Sequence, residues 1–165
     1  MARKENINFI FQINNKARST NFFILFIVSG IVFLGLAFLF LAINMNYELI
    51  ATIILAIGYF VLFNKIKPSY FEMLVTEEHL QINFYPVSST VRHYQSIEMS
   101  LFQLKGFNIK SSILGMKKEL ILSVESRYGI ADYPPVSITI LSKTETAQVY
   151  HVLKKIVETN TGRKS

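Results

Sequence analysis

At 165 residues the chain has the length of one domain, and it contains no cysteine. That excludes disulfides, zinc–thiolate centres, iron–sulfur clusters and cysteine nucleophiles, and it leaves the redox compartment unreadable. Hydrophobic residues make up 51% and charged residues 17%, with a mean hydropathy of +0.35, which excludes disorder and argues against a simple cytosolic globule. The formal net charge is +6, and the basic excess clusters beside the apolar segments, as in a protein held at a membrane surface.

Residues 1–21 form a basic segment carrying Arg3, Lys4, Lys16 and Arg18. Within it Ile7, Phe9, Phe11 and Ile13 alternate with Asn8, Ile10 and Gln12. A period of two predicts an extra strand added to the sheet of the domain that follows. An interfacial segment resting on lipid headgroups is the alternative.

A two-helix transmembrane hairpin is predicted over residues 22–63. Residues 22–43 contain no charge and are dense in Phe, Ile, Leu and Val; a helix of that length spans about 33 Å, enough for a hydrocarbon core of roughly 30 Å. The run is too long for the apolar region of a cleaved signal peptide, and Leu41-Ala42-Ile43-Asn44 is a poor cleavage site. A second apolar run over residues 47–63 reads as the return helix, because a lone first crossing would leave it in water. Lys65 and Lys67 follow it, whereas the connecting loop from Asn44 to Glu48 holds neither Lys nor Arg. The positive-inside rule then places both termini in the cytoplasm, giving a two-span protein of the cell (inner, cytoplasmic) membrane. Tyr47 and Tyr59 are candidate interfacial anchors. With Glu48 at the water interface, neither span holds an Asp, Glu, Lys, Arg or His within the apolar run, which disfavours a transporter. Thr52 and Ala56 have the spacing of close helix packing, read here as ordinary hairpin contact.

Beyond Pro68 the hydrophobic period changes to two, opening a domain over residues 69–159. Phe71, Met73 and Val75, then Leu80, Ile82 and Phe84, form two alternating runs around the Glu77-Glu78 turn. Further strands are predicted at 90–94, 98–104, 107–112, 119–125 and 136–141, separated by Gly- and Pro-containing turns. Ser142-Lys143-Thr144-Glu145 has the form of a helix capping box. After it Val149, Tyr150, Val152, Leu153, Ile156 and Val157 make one apolar stripe, so this helix must lie on the sheet. Residues 160–165 read as a polar tail.

The expected fold is α+β: a helical hairpin followed by seven antiparallel strands closed by one C-terminal helix. The order of that domain is that of a pleckstrin-homology-like (PH-like) β-barrel or sandwich. With the hairpin in front, the chain resembles the bacterial PH-like (bPH) membrane proteins. The similarity is carried by Leu74-Val75-Thr76-Glu77-Glu78-His79-Leu80-Gln81-Ile82, by Val91-Arg92-His93-Tyr94-Gln95-Ser96-Ile97 and by the strand and helix from Ile138 to Val157. The resemblance implies two membrane helices that present a PH-like domain.

Chemistry-bearing motifs are few. His79, His93 and His151 show no metal-ligand spacing, Glu77, Glu78 and Asp132 sit in predicted turns or loops, and neither a nucleophile elbow nor a phosphate-binding loop occurs. No catalytic residue, cofactor site or metal site is assigned. Lys105, Lys110, Lys117 and Lys118 lie in or beside strand connections and are the candidates for contact with anionic lipid headgroups, with Arg92 and Arg127 nearby in sequence. Scattered solubilising charge is the competing reading. The domain carries too little basic excess for nucleic acid. The sequence thus predicts a non-enzymatic module that meets the lipid bilayer, lipid headgroups or a protein partner, with homo-oligomers allowed. A membrane-embedded enzyme, or an accessory subunit of a membrane enzyme or transport complex, is the alternative.

Overall fold

The two apolar runs form antiparallel helices, α1 (Lys16–Ala42) and α2 (Asn46–Ile66), in a computed structural model that describes residues 10–87, 94–112, 115–126 and 129–162. Their lengths correspond to about 40 Å and about 31 Å, and both are long and apolar enough to cross a membrane. Asn44, between them, takes the left-handed conformation that Asn tolerates (φ 56°). Aromatic rings hold the pair together. Phe26 stacks on Phe63 with centroids 4.4 Å apart and meets Phe60 edge-on at 5.3 Å, while Phe33 contacts Tyr59 at 5.8 Å. Tyr59, a candidate anchor, therefore packs inside the hairpin, whereas Tyr47 is exposed. Thr52 is buried and donates its hydroxyl to the Glu48 carbonyl, as in ordinary helix packing. The other faces are bare: Ile31, Phe38 and Leu55 each expose about two thirds of their surface.

The period-two segments form two antiparallel sheets. The first has the order β1 (Phe11–Asn14), β2 (Ser69–Val75), β3 (His79–Pro86), β4 (Gln95–Ser100). The second has β5 (Leu104–Ser112), β6 (Lys117–Ser126) and β7 (Gly129–Asp132), with β8 (Val136–Ser137) also pairing β6. No pairing among the described strands closes them into a barrel. A 3-10 turn over Leu101–Gln103 breaks the path between β4 and β5, so the chain changes sheets there instead of continuing the first.

The N-terminal alternation is a strand, as its period requires. β1 pairs β2 with Ile13 opposite Met73, and Ile13 joins the core. The strand predicted at 90–94 falls mostly on residues outside those described, and Tyr94 lies just ahead of β4. The strand predicted at 136–141 shrinks to two residues, because the chain turns after Ile138, where the Leu141 amide donates back to the Ile138 carbonyl at 3.1 Å. β7 has no forecast. All four of its residues are exposed, so it carries no periodic signal.

Core residues come from both sheets and from α3 (Lys143–Gly162): Phe71, Met73, Leu80, Ile82, Leu120, Leu122, Val149 and Leu153 are all at most 1% exposed. The capping box is formed, with the Ser142 amide donating to Glu145 Oε2 at 2.7 Å and the Glu145 amide to Ser142 Oγ at 3.1 Å. Tyr150 meets the Phe107 ring edge-on, and the apolar stripe lies on the second sheet. The helix outlasts its expected end and takes in Asn160, assigned above to a polar tail. Asn160 is buried because its amide donates to the Leu101 and Leu104 carbonyls at the sheet change, at 2.6 and 2.9 Å.

Candidate functional site at the helix-proximal rim

The chain enters and leaves the helical hairpin through neighbouring strands. Only Asn15 separates β1 from α1, and only Lys67 and Pro68 separate α2 from β2. Lys67 is left-handed (φ 49°), and the fully buried Pro68 after it turns the chain into the sheet. Asn15 ties the two connections together. Its side-chain amide donates to the Ser69 carbonyl at 3.1 Å, its Oδ1 accepts from the Phe71 amide at 2.8 Å, and its own amide donates to the Phe71 carbonyl at 3.1 Å. The side chain thus continues the β1–β2 ladder one step past the strand end.

One turn into α1, Arg18 forms an ion pair with Glu145 at the start of α3. Burial acts to raise the Glu145 pKa, but it is outweighed by hydrogen bonds from Ser142 and by the Arg18 guanidinium, so the carboxyl lies below its usual range. A lowered carboxyl pKa stabilises the fold fully above the unfolded-state value, and the contribution is lost as pH falls through the folded-state value.

Beside this junction lies a cavity of about 500 Å³, lined on its polar side by Asn64 and Lys67 from α2 and its end, Ser69, Gln95, Glu119 and Ser137. Phe84, Pro86 and Pro135 supply its apolar wall. The cavity places the first residues of β6 beside the end of α2. It therefore puts the β5–β6 hairpin at the helix-proximal rim. Gly115 in that hairpin has φ +83°, a conformation that favours glycine, and Met116 next to it is 46% exposed.

Three of the four candidate lysines gather at this rim. Lys110 lies opposite Glu119 in the β5–β6 register, Lys117 opposite Ser112, and Lys118 opposite Ser111. Strand alternation puts Lys110, Lys117 and Glu119 on one face and Lys118 on the other, shared with Leu120 and Leu122. Lys117 binds Glu119 Oε1 at 2.7 Å. Lys118 is held by its backbone, whose amide donates to Thr139 Oγ1 and whose carbonyl accepts from the Ile138 amide. Lys105 is elsewhere: it pairs with Glu125 at 2.6 Å, about 17 Å along β5 from Lys110. Arg92, Arg127 and His93 lie outside the described residues.

A tyrosine cluster that no sequence pattern announces adjoins the same end of the first sheet. Tyr70 and Tyr85, register partners on β2 and β3, stack at 4.7 Å, and Tyr94 meets Tyr85 at 4.8 Å. Burial pushes the Tyr70 phenol far above its usual pKa, and the Glu72 carboxylate, its hydrogen-bond partner, adds to the shift. Tyr70 is 7% exposed, whereas Tyr94 is 63% exposed. The signal was present only as three tyrosines at strand ends; their meeting needs the register.

The other candidates stay apart. His79 is exposed, with Nε2 4.0 Å from Glu78; His151 lies exposed against the Tyr150 ring; Asp132 accepts from Ser123 Oγ at 2.6 Å. Among the described residues no group of three His, Asp or Glu is arranged to hold a metal ion. At the far end of the domain, Ile10, Phe11, Val75, Phe102, Val152 and Ile156 line an apolar recess of about 390 Å³. Comparison of the chain with protein-family models, with curated proteins and with solved structures found no match.

Proposed function

We propose that the chain is a non-catalytic, two-span membrane protein whose β domain is an interaction module on the cytoplasmic side, held with its helix-proximal rim against the leaflet, where it meets anionic lipid headgroups. One observation carries the reading: Lys67, the first residue past α2, shares a cavity with Glu119 at the start of β6. If α2 leaves the hydrocarbon at Lys65 and Lys67, the β5–β6 hairpin is at headgroup level, and Lys110, Lys117 and Lys118 lie within its field. Each Lys near an anionic surface is worth about 1 kcal/mol. The bare apolar faces of α1 and α2 support insertion, since a surface of that kind is satisfied by lipid and not by water. The Tyr70, Tyr85 and Tyr94 cluster suits an interface of mixed polarity. Two antiparallel sheets with a C-terminal helix behind a helical hairpin are compatible with the bPH layout.

Because the chain has no cysteine, Met116→Cys gives a single labelling site on the hairpin. An environment-sensitive dye there should shift to the blue in nanodiscs containing anionic lipid relative to neutral ones. Added salt should weaken the shift, and the triple change Lys110→Glu, Lys117→Glu, Lys118→Glu should abolish it. A spectrum indifferent to lipid charge and to all three substitutions would refute the rim contact. The full chain is required, because β1 forms one edge of the first sheet.

Orientation has its own test. A reporter fused after Ser165 should behave as cytoplasmic, since Lys16, Arg18, Lys65 and Lys67 flank the apolar runs and the loop between them has no basic residue. Labelling of the C-terminus from outside intact cells would overturn the topology.

A further inference from the structure

We infer that the cavity between the end of α2 and the two sheets takes the headgroup of an amine-bearing phosphoester, with the phosphate at Lys67 and a primary ammonium at Glu119. The inference rests on the leaflet orientation proposed above and adds a ligand class to it. Its first support is the pairing of charges. Among the described residues, the ionisable ones that line the cavity are one lysine and one glutamate, and they come from different parts of the fold. Among the described residues Lys67 has no carboxylate within ion-pair distance, and only Oε1 of Glu119 is engaged, by Lys117. The cavity therefore presents a cation and a carboxylate oxygen to one occupant.

A second support is the distribution of neutral polar groups. Asn64 stands on the Lys67 side, carried by α2, and can donate to phosphate oxygens, whereas the Ser69 hydroxyl there donates to the Lys67 carbonyl at 3.1 Å and holds that turn in place. Gln95 and Ser137 are on the sheets with Glu119, and Ser137 is the register partner of Glu119. Their oxygens accept hydrogen bonds, which a primary ammonium can donate and a trimethylammonium cannot. A volume of about 500 Å³ lies within the roughly 300–1,000 Å³ of ordinary small-ligand sites. The position supplies the third support: at headgroup level the abundant dipolar phosphoesters are lipid headgroups, and the acyl chains of such a lipid would lie along α2.

The test uses the full chain in mild detergent, mixed with equimolar phosphatidylethanolamine, phosphatidylcholine and phosphatidylglycerol and read by native mass spectrometry. The expected result is one retained phosphatidylethanolamine per chain, favoured over phosphatidylcholine by about tenfold, as a net gain of about 1.4 kcal/mol gives. Glu119→Gln should remove that preference while the chain still folds, Gln95→Ala, which breaks no ion pair, should reduce it from a different strand, and Lys67→Gln should weaken retention of all three lipids. Equal retention of the amine and choline lipids, or a preference undiminished in both Glu119→Gln and Gln95→Ala, would overturn the inference. Selection of phosphatidylglycerol over phosphatidylethanolamine would also overturn it, while leaving the contact of the rim lysines with anionic lipid standing. Soluble glycerophosphoethanolamine separates the sources: displacement of the bound lipid assigns the site to a free phosphoamine, and retention of the lipid against it assigns the site to the bilayer. Either result supports the shared headgroup chemistry.

Discussion

Replacing Asn15 by Leu should destabilise the β domain by about 2–6 kcal/mol, because it leaves the buried Phe71 amide and Ser69 carbonyl without partners at a cost of about 1–3 kcal/mol each. The side chain is 3% exposed, so water cannot replace its amide without opening the junction. Thermal unfolding of the full chain in detergent measures the effect, and hydrogen exchange at the Phe71 amide localises it. Gln12→Ala, on the exposed face of β1, serves as the control and should change little. An Asn15→Leu chain that melts with the wild type and keeps the Phe71 amide protected would mean that β1–β2 pairing alone fastens the hairpin to the domain. The consequence reaches function. With both helix–strand connections clamped at one residue, the rim cannot swing freely about a single linker, and its position relative to the helix ends is set by the fold.

A comparable loss is expected at the other end of the chain. Leu153→Asp buries an unpaired charge at a position with no exposure and should cost several kcal/mol or prevent folding. Ile156→Asp should cost less, because Ile156 is only partly buried against the core. Lys155→Ala, on the exposed face, should be nearly neutral. The order of the three melting temperatures is the test; if they coincide, α3 does not hold the second sheet.

The sequence made the local elements legible wherever burial imposes a period. Phe71, Met73 and Val75 on β2 and Leu80 and Ile82 on β3 face the core as their alternation requires. Val149 and Leu153 mark the buried stripe of α3, and Ser142 and Glu145 form the cap that their spacing announces. Elements without one-sided burial were missed or misbounded. β7, exposed throughout, was not anticipated; β8, buried throughout, is only the first two residues of the strand expected at 136–141; and the 3-10 turn at Leu101–Gln103 interrupts a run that reads as strand.

By itself the sequence determined two apolar runs long enough as helices to cross a bilayer, the basic residues that flank those runs, the period-two domain behind them and the amphipathic helix that closes it. Those features depend on residues near one another along the chain, and hydrophobic period and helix length record them directly. Tertiary structure alone decided which lysines stand together. Lys105 and Lys110 are close in sequence yet lie toward opposite ends of β5, and Lys117 and Lys118 are adjacent yet face opposite sides of the sheet. It also decided that Asn15 meets Phe71, that Tyr70 meets Tyr94, and that Lys67 shares a cavity with Glu119. Such meetings follow from strand register and from how the sheets sit on the helix ends, and neither leaves a periodic trace in the residues that take part.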